Sequence, residues 1–154
     1  MKTCISLILL FFAFTCANDD ESITKDDNLT PIEFIVIGKG DLSMVDEIPY
    51  KNELIATVAK WNLLIPVITN RGLSSAEINN LNINFALNDL IVVMIDPIAT
   101  SGSGIAITSI QENRTNRIVT VRTETTFMTV MSRPFQIVKV PKSSKPLIFK
   151  VETK

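Results

Sequence analysis

Six consecutive apolar residues, Leu90-Ile91-Val92-Val93-Met94-Ile95, constrain the fold of this chain more than any other stretch. A strand sends successive side chains to opposite faces. A strand built from these six is therefore apolar front and back, and only a central strand covered on both sides accommodates it.

Around it the sequence predicts further strands. IEFIVIGKG, residues 32–40, reads as a first strand closed by a turn at its glycines. After Thr100-Ser101-Gly102-Ser103-Gly104, a turn, come IAITSI (105–110), RIVTVRT (117–123), FQIVKV (135–140) and PLIFKVE (146–152). Turn residues separate them: Asn113 with Asn116, Ser132-Arg133-Pro134, and Ser143-Ser144. Ile110 falls out of step with Ile105 and Ile107, which predicts a bulge. In the last strand Leu147, Phe149 and Val151 share a face, with Lys150 and Glu152 on the other.

One principal helix is expected between the first strand and Leu90. Asn52 is placed to cap it, with Glu53 in its first turn. Leu54, Val58, Trp61 and Ile65 form one stripe, Thr57 and Lys60 lie off it, and Pro66 ends it. Trp61, the only tryptophan, is assigned to core packing. A short second helix is read over Ser74–Asn80. The expected fold class is α+β: a mainly antiparallel sheet or sandwich with one amphipathic helix packed against it. With 154 residues, 46% of them hydrophobic, the chain can bury one domain core, placed at 32–154.

Chemistry is limited by what the sequence lacks. It has no histidine, which removes Ser-His and Cys-His nucleophilic pairs, His-ligated zinc and the usual base near neutral pH. Both cysteines, Cys4 and Cys16, fall in the first 16 residues, leaving no disulfide or thiolate metal site in the domain. No enzyme, cofactor or metal is expected. Gly102-Ser103-Gly104 lacks the spacing, the Lys-Ser/Thr pair and the helix of a phosphate loop. A Ser-Lys dyad in Lys142-Ser143-Ser144-Lys145 would need a desolvated, neutral lysine, and a polar turn does not supply one. Asp89, Asp96 and Glu112 flank strands and leave open a carboxylate pair across the sheet.

The N-terminus carries the clearest signal. Lys2 precedes the ten-residue apolar run Ile5–Phe14, too short to span a bilayer but suited to a signal-peptide core, so residues 1–15 are read as an export signal. Two cleavage readings follow. Thr15-Cys16-Ala17 offers small residues to an ordinary signal peptidase, giving a secreted protein. Ala13-Phe14-Thr15-Cys16 resembles a bacterial lipobox, with Phe14 in place of the usual small or aliphatic residue, and makes Cys16 the lipidation site. Cys-Ala-Asn-Asp-Asp-Glu also resembles the start of mature Bacteroidetes-type lipoproteins, in which acids after the cysteine accompany surface export. Each buried CH2 of a lipid adds about 0.8 kcal/mol, so several chains anchor firmly. Residues 16–31 read as an acidic tether. The expected location is the bacterial cell envelope, at the outer membrane.

Charge is divided along the chain: residues 17–53 hold ten acids and three bases, residues 113–154 nine bases and two acids. That division suggests either a basic contact face or lysines guarding strand edges. Nucleic acid is not an expected partner, because no binding motif accompanies the basic third and the chain is read as exported.

The order Asn88-Asp89-Leu90 and its apolar strand, the Gly-rich turn, Ile105-Ala106-Ile107, a charged hairpin, Arg133-Pro134-Phe135-Gln136-Ile137-Val138-Lys139-Val140-Pro141-Lys142, then Pro146-Leu147-Ile148-Phe149 resembles the C-terminal domain of the protease complex subunit PrcB family. The resemblance covers roughly residues 50–152, with the Trp61 segment matching a Trp-bearing helix. Family members carry a Gly-Gly-Tyr turn. If Gly102 takes the second glycine's place, Ser103 stands where they have tyrosine. The resemblance implies a non-catalytic exported lipoprotein that binds or stabilises an envelope partner such as a protease. Thr100, Ser101, Gly102, Ser103 and Gly104 are the candidate contact residues. The alternative expectation is a protease inhibitor that inserts the same turn into a protease cleft; a sugar-binding role finds little aromatic surface to use.

Overall fold

Leu90–Met94 does run through the middle of the molecule, buried on both faces. The computed structural model describes residues 28–42, 52–69, 73–94, 104–124 and 133–154. Along the chain these form β1 (Thr30–Pro31), β2 (Ile35–Leu42), β3 (Glu53–Ile55), α1 (Val58–Ile68), α2 (Ser75–Asn80), β4 (Asn88–Met94), β5 (Gly104–Glu112), β6 (Arg117–Glu124), β7 (Arg133–Pro141) and β8 (Leu147–Thr153). The strands make two four-stranded sheets, ordered β1-β5-β6-β8 and β2-β7-β4-β3. All pairings are antiparallel except β6 with β8, which is parallel.

The second sheet is the middle of three layers, and the pleat divides its side chains between two cores. Leu90, Val92 and Met94 of β4, with Phe135 and Ile137 of β7, pack under Trp61, Leu64 and Ile68 of α1 and Ile78 of α2. Ile91, Val93, Val138 and Val140 point the other way, onto Ile107, Ile110, Val119 and Val121 of the first sheet. Full burial of each such side chain contributes about 1.5–3 kcal/mol, so covering both faces of β4 and β7 is the main source of cohesion.

Several sequence expectations are corrected. Asn52 caps no helix; its side-chain oxygen accepts the Met94 N–H at 3.2 Å. Glu53–Ile55 is drawn onto the free edge of β4, pairing with Val92, Ile91 and Leu90. The α1 cap is Thr57, whose hydroxyl accepts the Lys60 N–H at 3.3 Å. Its buried stripe is Trp61, Leu64 and Ile68, while Val58 is exposed. Pro66 lies inside the helix. It sits on an exposed face, where water reaches the carbonyl its missing N–H leaves unpaired. β2 runs through Gly38 and Gly40 to Leu42 instead of turning there. The short second helix is as expected: Ser74 caps it, and its hydroxyl and N–H exchange hydrogen bonds with Glu77. The bulge near Ile110 is also present, as a register shift between Ile107 and Ser109 that lets both Ile107 and Ile110 face the core.

Candidate functional site

The strand registers give the molecule two ends. At one, Leu42 lies opposite Arg133, Met94 opposite Phe135, and Gly104 opposite Glu124. The sheets are aligned there by Gln136, buried on β7, whose side-chain oxygen accepts the Ile107 N–H of β5 at 2.7 Å. The strand ends bounding residues 43–51, 95–103 and 125–132 therefore lie together. Of the candidate contact residues, Gly104 opens β5. A side chain there would meet only ordinary contact, with Glu124 Cβ 3.9 Å from the added carbon, so the backbone does not require glycine at 104. Thr100, Ser101, Gly102 and Ser103, like Asp96 and Cys16, lie outside the described residues.

The opposite end is closed by charge. Asp89, 1% exposed, accepts from Lys142 Nζ at 3.0 Å and from the Ser143 N–H at 3.1 Å. Lys142 also donates to the Phe85 carbonyl at 3.1 Å. Across the sandwich, Glu112 accepts from Arg117 Nε at 2.7 Å on one oxygen and from Lys145 Nζ at 2.7 Å on the other. Arg117, itself buried, donates onward to the Pro141 carbonyl at 2.9 Å. Burial raises the Glu112 pKa, but the hydrogen bonds from Lys145 and Arg117 outweigh it and hold the carboxyl below the usual glutamate range.

This geometry explains Lys142-Ser143-Ser144-Lys145. The chain leaves β7 in one sheet and enters β8 in the other, and the connection is tied to Asp89 on one side and Glu112 on the other. Both lysines are engaged by carboxylates, Lys142 by Asp89 and Lys145 by Glu112, and a Ser-Lys dyad needs a lysine free of such partners. Asp89 and Glu112 each have basic partners of their own and form no carboxylate pair with each other. A polar cleft lined by Thr30, Glu112, Arg114 and Lys145 opens here, but Glu112 and Lys145 engage each other across it. The adjacent apolar groove, lined by Ile32, Phe34, Ile35 and Pro141, also takes in the polar side chains of Glu33, Asn88 and Lys139. Among the described residues no group of three or more Cys, Asp or Glu is placed to hold a metal ion, and no helix is long and apolar enough to cross a membrane.

Sequence reasoning missed Gln136 and Arg117 as structural groups. A glutamine second in FQIVKV is the detectable signal: it stands on the face shared with Val138 and Val140, where an apolar residue is the rule. Comparison with protein-family models, curated proteins and solved structures finds no match.

Proposed function

We propose that the chain is a non-catalytic, lipid-anchored module of a bacterial cell envelope that binds or stabilises a protein partner. The observation that carries this reading is the contrast between the two ends. The Asp89 and Glu112 ends of the strands are tied by ion pairs, whereas the strand ends at Met94, Gly104, Glu124 and Arg133 lie together on the other side. Gly104, the last of the candidate contact residues, opens β5 on that side, which favours the turn as the contact. Cys16 is the proposed lipidation site, with the acids after it as a spacer. The resemblance of the residue order over roughly 50–152 to the PrcB family, which no family model supports, is what suggests an envelope protease as partner.

Crosslinking intact cells that make the tagged protein, then purifying it from the envelope, tests the reading. A protease recovered in near-equal amount, and lost when Ser101 and Ser103 are both replaced by bulky charged residues, is the expected result. Recovery of no stoichiometric partner counts decisively against it. Inhibition of cysteine or serine proteases by the purified protein would instead favour the inhibitor reading. Cys16→Ser is expected to move the protein from the membrane fraction to the soluble one.

A further inference from the structure

Among the described residues, the first sheet ends in an edge that nothing blunts except its charges. β8 pairs with β6 over seven residues without a register shift, from Arg117 with Leu147 to Thr123 with Thr153. Among the described residues no strand lies on its other side. The other edges are shortened or interrupted. β1 has two residues and a proline, β3 has three residues, and β2 carries a bulge between Val36 and Gly38. On β8, Ile148 and Val151 are large apolar side chains left exposed, at 41% and 56%.

The backbone direction of β8 is set by its bonds to β6. Lys154 donates to the Thr123 carbonyl and the Pro146 carbonyl accepts the Arg117 N–H, so the even-numbered residues face β6. Phe149, Val151 and Thr153 then turn their N–H and C=O groups outward, since successive residues alternate. Lys150 and Glu152 stand on one face, two residues apart, and neither forms an ion pair within the described residues. A lysine in mid-edge ordinarily repels an approaching strand. The glutamate two places on reverses that for one arrangement.

We infer that this edge pairs with β8 of a second copy of the chain, antiparallel about a two-fold axis at Val151. That register puts Val151 opposite Val151 of the other copy, exchanging both backbone hydrogen bonds, and Phe149 opposite Thr153. It sets each Lys150 directly across from a Glu152, at non-hydrogen-bonded positions where side chains approach most closely. Centring one residue earlier opposes Lys150 to Lys150, and one residue later Glu152 to Glu152. Two four-stranded sheets become one of eight strands. The contact is isologous and closes on itself, so it yields a dimer and not a fibre. β1, where the N-terminal segment enters, is at the opposite edge of the same sheet and stays free. The inference does not rest on the proposed function.

Sedimentation of the full 154-residue chain in a density-matched detergent, over a range of concentrations, tests it. The unaltered chain is expected to dimerise reversibly. Lys150→Glu and Glu152→Lys should each weaken the dimer by about tenfold or more, by turning two attractive pairs into two repulsive ones. The double exchange K150E/E152K should restore it. Val151→Pro, which removes an outward N–H and none that faces β6, should abolish it. Unchanged Trp61 emission in each variant shows that the fold is kept. A monomer at every concentration, single variants that dimerise like the unaltered chain, or a double exchange that fails to rescue would each overturn the inference.

Discussion

Replacing Gln136 by leucine leaves the Ile107 N–H between the two sheets with no acceptor. A buried orphan of this kind costs about 1–3 kcal/mol, and chemical denaturation of Gln136→Leu should show a loss in that range. Gly38 makes a steric claim of similar size. A methyl group there would run into Leu73 Cδ1 and come within 3.0 Å of its Cγ. Leu73 is itself buried, so Gly38→Ala should destabilise by about 1–3 kcal/mol. Adding Leu73→Ala to it should cost less than the two changes summed, as a double-mutant cycle would measure. Glu112 contributes to the loss of stability in acid. Its pKa is lowered in the folded protein, so its contribution is present above the unfolded-state value of about 4.3 and is lost as pH falls through the folded value. In urea melts below that pH, Glu112→Gln should show a shallower loss of stability with acid than the unaltered chain. Only Gln136 left a trace in the sequence, as a polar residue on an apolar strand face; its partner, like the roles of Gly38 and Glu112, depends on what stands across a layer, which a strand's own pattern does not record.

At the scale of elements, the helix shows where local reasoning stopped. Asn52-Glu53 has the form of a helix start, and the pattern places Thr57 only off the stripe. The pairing of Glu53–Ile55 with β4 decides between the two, since the open edge of a buried strand offers backbone partners that an isolated helix start does not. Pro66 is tolerated because the second turn of α1 is anchored by Trp61 and Leu64, whose burial exceeds what the proline forfeits. Pro66→Ala should therefore stabilise the protein by about 1–3 kcal/mol, less than a full interior proline penalty because the unfolded chain regains freedom. A rise in midpoint on thermal melting is the expected outcome; a fall would mean that the proline is needed for the angle at which α1 meets the sheet. The strands, by contrast, were legible to within about two residues from 104 onward, although Arg133 and Pro134, expected in a turn, open β7 because they pair with Leu42 and Asp41 of β2.

For the whole molecule, the sharing of β4 and β7 between both cores has a thermodynamic consequence. The helical layer cannot leave without exposing Leu90, Val92 and Ile137, and the outer sheet cannot leave without exposing Ile91, Val93 and Val138. Unfolding should be a single transition: the emission of buried Trp61, which reports on the helical core, and far-UV dichroism, dominated by the sheets, should change together with denaturant. Separate midpoints would show that the layers melt independently. By itself the sequence determined that the chain is β-rich, that Leu90–Met94 is central, roughly where the later strands begin and end, and that no histidine or domain cysteine is available for chemistry. These follow from local properties, namely side-chain hydrophobicity, its alternation, and composition. Only the tertiary structure decided that the strands divide into two sheets under a helical layer, that β8 returns parallel to β6, and that Lys142 and Lys145 serve as ties between the sheets. Those outcomes depend on which backbone edges and charges meet across tens of residues, such as the Lys142–Asp89 pair, and one strand's own pattern carries no information about its partner.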